Sequence, residues 1–221
     1  MTESTAAAHA QARAMDHIYR YQRYVYDATR RYYLFGRNEL LAELAPPVGG
    51  SVLEVGCGTA RNLILAAERY PQSRYYGFDI SAEMLKTARK SVEASGQSRR
   101  ISLAVADATN FDGATLFGVD AFDRIFISYS LSMIPAWEAI IAHAADQLAP
   151  GGALHIVDFG SMDRMPAVGR RAMLAWLRRF SVTPRRDLVN VARRIARARG
   201  MSCGFRHGTL DYAAHATLRR A

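Results

Sequence analysis

Lysine is almost absent from this chain: of 29 basic residues, only Lys86 and Lys90 are not arginine. Cysteine occurs twice, at Cys57 and Cys203, too few for a disulfide framework and suited to a reducing compartment. No apolar run approaches the length that spans a bilayer. Residues 1–14 lack the apolar centre of a signal peptide and are expected to form a frayed tail. No metal-ligand spacing of His, Cys, Asp and Glu occurs, so no metal is expected. Internal repeats and low-complexity linkers are also missing. The 221 residues, half of them hydrophobic, suffice for one α/β domain with a real core and not for two of ordinary size.

What the chain has in excess is positive charge, a net +9 with a pI near 9.9. Such a balance attracts a polyanion, either nucleic acid or an anionic lipid surface. The excess is local: eleven arginines lie from Arg164 to Arg199, with Asp163 and Asp187 their only acidic company.

Strand and helix patterns alternate from Ser51 to Phe159. Strands are expected at Ser51–Val55, Tyr75–Phe78, Ile101–Val105, Phe122–Ser128 and Ala153–Phe159. Between them come helices from Thr59 to Tyr70, from the cap Ser81 to Ala94, and from Pro135 to Leu148, the last ended by Pro150-Gly151-Gly152. This order predicts a right-handed, doubly wound parallel sheet. Basic amphipathic helices are expected at Pro166–Phe180 and Pro184–Arg199. The first carries Met173, Leu174, Trp176, Leu177 and Phe180 on one side and Arg171, Arg178 and Arg179 opposite. Two strands, Ser202–His207 and Ala214–Leu218, close the chain as an antiparallel hairpin. The expected division is a tail at 1–14, a helical cap at 15–45 dense in aromatics and arginines, and a main domain at 46–221 with the basic helices at 165–199.

The most informative stretch is Val52-Leu53-Glu54-Val55-Gly56-Cys57-Gly58-Thr59-Ala60. A buried strand breaking into Gly56 and Gly58 lets the backbone turn sharply and approach a ligand, because neither glycine has a Cβ. The helix that follows aims free N–H groups into the crevice at the strand's carboxyl end. Dinucleotides and S-adenosylmethionine are the two ligands that use such a turn. A dinucleotide site needs a third glycine at position 61, where this chain has Arg61, expected to stand in the most crowded place. Leu53–Ala60 instead resembles the first motif of the class I S-adenosylmethionine-dependent methyltransferases, E/D-x-G-x-G-x-G, with Ala60 replacing the last glycine.

That resemblance implies a Rossmann-like fold with S-adenosylmethionine as cofactor, and it organises the other polar residues. Asp79, 23 residues after Gly56, ends the second strand and can take both ribose hydroxyls; its bland reading is part of the helix cap at Ser81. Ile80 and Met84 would flank the adenine. Asp107 would accept the adenine amino group beside the Ala108 N–H, or serve as a plain turn residue. Glu54, Gly56, Cys57, Gly58, Asn62 and Ser128 complete the cofactor set, with Glu54 facing the ammonium group. Ser128-Tyr129-Ser130 follows the fourth strand, where the acceptor side is expected. Tyr129 is either a π face for a cation or core packing. The Asn/Asp-Pro-Pro-Tyr signature of enzymes that methylate bases is absent, which disfavours a nucleic-acid partner. His155 reads as a satisfied core histidine rather than a base, His143 as solvated, and His17 as a candidate only if the cap covers the pocket.

A narrower resemblance lies in Tyr26-Asp27-Ala28-Thr29-Arg30-Arg31-Tyr32-Tyr33-Leu34-Phe35-Gly36-Arg37, joined by His155–Gly160 and Phe180–Arg185. These segments look like the bacterial diacylglycerylhomoserine N-methyltransferases of betaine-lipid synthesis. The resemblance implies successive methylation of a homoserine amine on a membrane lipid. It adds Tyr26 and Arg31 to the cofactor residues and Tyr33, Tyr129 and Arg37 to the catalytic ones. It also implies a functional partner that makes the homoserine lipid by aminocarboxypropyl transfer, and a cytoplasmic location at the inner membrane face. Alternatives are a methyltransferase acting on another small molecule or on RNA, and a non-catalytic protein that uses the cofactor fold for binding.

Overall fold

A computed structural model describes residues 34–221. Its strands are β1 (Ser51–Val55), β2 (Arg74–Asp79), β3 (Ile101–Val105), β4 (Phe122–Ser128), β5 (Leu148–Phe159), β6 (Ser202–His207) and β7 (Ala213–Arg219). They form a seven-stranded sheet in the order β3-β2-β1-β4-β5-β7-β6. The first five are parallel, while β7 runs antiparallel to β5 and to β6. The doubly wound sheet with an antiparallel hairpin at one edge is therefore present.

The helices are α1 (Arg37–Glu43), α2 (Arg61–Arg69), α3 (Ala82–Ala94), α4 (Gly113–Phe117), α5 (Trp137–Asp146), α6 (Ala167–Arg178) and α7 (Leu188–Ala198). They cover both faces, as the two-residue period of β1 requires. Leu53 and Val55 pack with Ile140, Ile141, Val191 and Ile195 of α5 and α7. Val52 points the other way, to Leu41, Leu63 and Leu85 of α1, α2 and α3. Burial on both sides explains the continuous apolar runs of β1 and β4.

Several elements differ from expectation. β5 starts at Leu148 rather than Ala153, because the Pro150-Gly151-Gly152 turn is absorbed as an irregularity where the register with β4 shifts between Phe122 and Arg124. α2 begins at Arg61 rather than Thr59, and α5 at Trp137 after a 3-10 turn at Leu131–Met133. The short α4 was not expected; Asp112 caps it by accepting from Thr115 N at 3.1 Å. α6 ends at Arg178, short of the expected Phe180; Leu177 is buried and Met173, Leu174, Trp176 and, beyond the helix, Phe180 are half-buried against the same core, so this stripe is largely internal packing. α7 buries Leu188, Val191, Ala192, Ile195 and Ala196 and exposes Arg193, Arg194 and Arg197.

The two later histidines are also corrected. His155 lies in β5 at 2 % exposure, and neither ring nitrogen has a hydrogen-bond partner among the described residues. Burial holds its pKa down at about 4, so it is a neutral core residue without the satisfaction expected of it. His143 is not simply solvated: it is half-buried, its ring stands edge-on to Phe111, and its Nε2 contacts the Phe111 carbonyl.

Candidate active site

The strand order reverses between β1 and β4, and the crevice outside the carboxyl ends of those strands is where an open α/β sheet binds ligands. The glycine turn forms its floor. Gly56 N and Cys57 N both donate to Phe78 O, at 3.0 and 2.9 Å, which fastens the turn to the end of β2. Gly56 has φ +72°, and a Cβ there would come within 2.9 Å of Ser130 Cβ. Gly58 has φ +52° and donates its N–H to Asp79 Oδ2 at 2.9 Å. Ala60 is also left-handed, at φ 62°, and completely buried. Arg61 does not occupy the crowded place expected of it. It opens α2 with its side chain exposed, and the tight, left-handed position belongs to Ala60.

Two cavities share the Gly56 wall. The first, ≈ 300 Å³, is lined by Glu54, Asn62, Ser128, Cys57, Arg37 and Leu34 among others. Glu54 is 1 % exposed and accepts from Asn62 Nδ2 at 2.8 Å. A carboxylate so buried is costly without a cation or further donors. Asn62 Oδ1 and Ser128 Oγ are buried with no hydrogen-bond partner among the described residues. One acceptor, one hydroxyl and a buried carboxylate around one space match the ammonium end of an amino acid. Arg37, at the start of α1, brings a guanidinium to the lining of this cavity.

The second cavity, ≈ 60 Å³, is lined by Gly58, Asp79, Ile80, Met84, Asp107 and Ala108, with Tyr129, Ser130 and Met133 opposite. Asp79 Oδ1 accepts from Ser81 N at 3.0 Å while Oδ2 holds Gly58. The cap reading of Asp79 is therefore present in the fold: the backbone N–H groups of Gly58 and Ser81 fix a carboxylate that lines this cavity. Ser81 itself caps α3 by accepting from Met84 N at 3.2 Å. Asp107 Oδ1 accepts from Thr109 N and Oγ1, both at 2.8 Å, which leaves Oδ2 for an exocyclic amine. Apolar Ile80 and Met84 suit the faces of a flat base.

Tyr129 is 1 % exposed at φ 56°; its hydroxyl donates to the Phe35 carbonyl and its ring stands edge-on to Phe159 at 4.7 Å. Burial, with Asp158 nearby, pushes the phenol pKa well up, so the group stays protonated. Tyr129 therefore ties the chain preceding α1 to the end of β4 while lining the cavity.

The loop after β4 is held from behind. Asp158, fully buried in β5, accepts from Ser132 N at 3.1 Å and Phe159 N at 2.7 Å; burial raises its pKa to about 6. Arg185 donates to the Leu131 and Ile134 carbonyls at 3.0 and 2.9 Å, and Thr183 N donates to Ser132 O at 2.8 Å. Thus Met133 and Ile134, which wall the second cavity, are positioned by the basic segment between α6 and α7.

Glu54, Gly56, Cys57, Asn62, Ser128 and Arg37 come together around the first cavity, and Gly58, Asp79, Ile80, Met84, Asp107, Ala108 and Tyr129 around the second. Tyr26, Arg31, Tyr33 and His17 lie outside the described residues. Ser130, part of the stretch expected on the acceptor side, lines the second cavity and donates its Oγ to Val55 O at 3.3 Å; sequence reasoning missed Thr87 and Ser91 of α3, which line the first cavity. Ser130 was legible as the polar residue after β4; the α3 pair carries no local signal.

Residues 52–152 match the profile of a family described as a methyltransferase domain. Ubiquinone/menaquinone biosynthesis C-methyltransferase UbiE of Paracoccus denitrificans is 33 % identical over 134 residues, which cover 61 % of this chain and 49 % of that protein. Phosphatidylethanolamine N-methyltransferase of Cereibacter sphaeroides is 33 % identical over 127 residues, covering 58 % of this chain and 59 % of that one. The chain thus spans about half the length of the curated relatives it matches. Among solved structures, phosphoethanolamine N-methyltransferase 2 of Haemonchus contortus in complex with S-adenosyl-L-methionine superposes with a TM-score of 0.68 at 15 % identity, over 83 % of this chain and 52 % of that one. S-adenosyl-L-methionine, which that neighbour holds, is the cofactor expected at the glycine turn. Residues 52–152 are thus similar to a methyltransferase domain, and the fold is that of the solved methyltransferase that superposes on this chain.

Proposed function

We propose that this methyltransferase transfers methyl groups successively to the homoserine amine of diacylglycerylhomoserine, giving the trimethylated betaine lipid. The observation that carries the reading is the 33 % identity over 127 residues to a phosphatidylethanolamine N-methyltransferase, named for methylating the nitrogen of another lipid headgroup. The Tyr/Arg segment leading into Arg37 supports the homoserine headgroup in particular. When bound, S-adenosylmethionine supplies a methyl carbon activated by a sulfonium leaving group. The chain contributes positioning and exclusion of water, with Glu54, Asn62 and Arg37 at one end and Asp79 and Asp107 at the other. Leu34, Met133 and Ile134 provide apolar walls that keep water from the attacking amine.

An anionic membrane surface is the partner proposed for the basic helices. Leu177 is buried and Trp176 packs on Phe180 at 5.0 Å, so the aromatic stripe is engaged in the core. The surface offered is instead Val168, 80 % exposed, with exposed Arg171, Arg178 and Arg179. No helix among the described residues is long and apolar enough to cross a membrane. Replacing Arg178 and Arg179 with Glu is expected to abolish sedimentation with anionic vesicles and leave neutral vesicles unaffected; unchanged sedimentation removes this surface from the proposal.

The decisive experiment is mass spectrometry of lipids from cells expressing the chain beside an aminocarboxypropyl transferase that makes the homoserine lipid. Trimethylated homoserine lipid is expected, and its absence while the unmethylated lipid accumulates overturns the reading. Equal identity to a C-methyltransferase supports a second reading, carbon methylation of a quinone precursor. That product would carry its new methyl group on a ring, and fragmentation separates the two.

A further inference from the structure

Strand β6 ends the sheet: β7 pairs with one side of it, and no strand pairs with the other among the described residues. Such an edge carries a row of backbone N–H and C=O groups that a further strand can bond. The strand is almost wholly exposed, and no proline interrupts it. Gly204 lies inside it, with nothing within 4 Å of the place where a Cβ would stand. The β6–β7 register runs through Gly204 without a shift, so no bulge accounts for the residue. A glycine weakens a strand, and one with neither bulge nor close neighbour suits the approach of another backbone.

The charge left over around this edge is positive. Arg193, Arg194 and Arg197 of α7 line an ≈ 800 Å³ groove with Met201 and Cys203. Arg193 stands 4.1 Å over the ring of Phe205, which is 48 % exposed in β6. Strand alternation sets Cys203 and Phe205 toward α7, and Gly204 and Arg206 toward α1, where Arg206 meets Glu43 at 2.9 Å. A strand laid along β6 would therefore meet guanidinium groups on both of its faces. The arginines already paired here hold carboxylates: Arg194 takes Glu138, and Arg199 takes both oxygens of Asp146, at 2.7 and 2.8 Å. Arg193 and Arg197 make no salt bridge among the described residues.

The sign of the charge selects the occupant. A second copy pairing through the same edge would add its own arginines to those present, which like-charge repulsion opposes. Lipid and nucleic acid supply anions but no peptide backbone to complete the ladder. An acidic extended segment supplies both.

We propose that the outer edge of β6, with the arginine groove of α7 beside it, is a docking site for an acidic extended segment of a partner protein, which joins the sheet as a further strand. The proposal is independent of which acceptor the crevice methylates.

The probe is a short peptide of alternating Glu and Thr, blocked at both ends, followed by fluorescence anisotropy and by amide hydrogen exchange of the protein. Binding is expected to slow exchange across residues 202–207. Arg193→Glu and Arg197→Glu are each expected to weaken it about tenfold, with S-adenosylhomocysteine binding unchanged in calorimetry. A peptide of alternating Glu and Pro keeps the charge but cannot join a ladder, and is expected to bind about tenfold more weakly. Equal affinity for the two peptides, or no slowing at 202–207, makes the surface a patch of charge alone and overturns the proposal. Full binding by both variants overturns it as well. Should a variant also lose S-adenosylhomocysteine binding, the comparison of the two peptides on the wild-type protein decides. Single-stranded RNA or phosphatidylglycerol vesicles that bind through Arg193 and Arg197 more tightly than the peptide overturn the strand proposal and name the polyanion instead.

Discussion

At Ala60 a side chain sits where glycine would be at ease. Its left-handed backbone costs about 1–2 kcal/mol for an L-residue. Glycine there would relieve that strain and lose roughly 0.4–1 kcal/mol through the greater freedom of the unfolded chain. Ala60→Gly also gives up about 0.8 kcal/mol of buried methyl, so the terms nearly cancel and stability is expected to stay within about 1 kcal/mol of wild type, with cofactor affinity retained; a loss above about 2 kcal/mol in urea unfolding contradicts the strain argument. This residue also marks a limit of reading from sequence. The glycine turn and the acids at 54, 79 and 107 were legible because their chemistry is local to strand ends. The left-handed turn at Ala60, and the exposed course of Arg61, were not, since alanine gives no sign of positive φ.

Strand β5 carries two titrating groups with opposite effects. His155 has a folded pKa of about 4 against 6.5 for the free side chain, so the folded state binds fewer protons between those values. Its contribution is present above pH 6.5 and is lost as pH falls toward 4. Asp158 has a folded pKa of about 6 against 3.8, so the folded state binds more protons, and stability from this group declines as pH rises from 3.8 to 6. In their shared window the slopes oppose, and the wild-type profile is shallow. His155→Leu removes one side of the balance. Relative to wild type, the variant is expected to gain stability as pH drops from 6.5 to 4, by at most about 1.4 kcal/mol per pH unit. Urea unfolding at pH 7.0, 5.5 and 4.5 measures it, and a difference independent of pH would exclude a neutral buried imidazole.

Elements were legible where burial imposed a strict pattern. The largely buried runs at 51–55 and 122–128 have the bounds expected of them; those at 101–105 and 202–207 match as well, although the last is almost wholly exposed. The five-residue α4 was missed because its only sign is Asp112 three places before Thr115, too short for any helical period. The early start of β5 was missed because Pro150-Gly151-Gly152 reads as a stop, whereas the strand passes through it.

For the molecule as a whole, the parts that meet in space come from distant stretches of chain, and that is why single residues outside the motifs carried no signature. His215 read as one residue of a closing strand, and nothing near it points to Gly36, whose missing Cβ leaves room for its ring. The same holds for Arg185, which read as one arginine among eleven and in the fold grips the loop that walls the second cavity. Arg185→Met is expected to raise the KM for S-adenosylmethionine several-fold, with a smaller change in kcat, because the loop loses two charge-assisted hydrogen bonds. An unchanged KM would show that Asp158 and Thr183 hold the loop without it.

That grip has a thermodynamic corollary. Residues 183–185 join the loop that walls the second cavity to the arginine-bearing helices α6 and α7, so a ligand in that cavity and a ligand on those helices would share one mechanical element. Whatever factor a ligand on those helices lends to cofactor affinity, the cofactor must lend back to that ligand. A vesicle that settles the basic segment would then load the enzyme as it docks, and the loaded enzyme would leave the vesicle more slowly than the empty one.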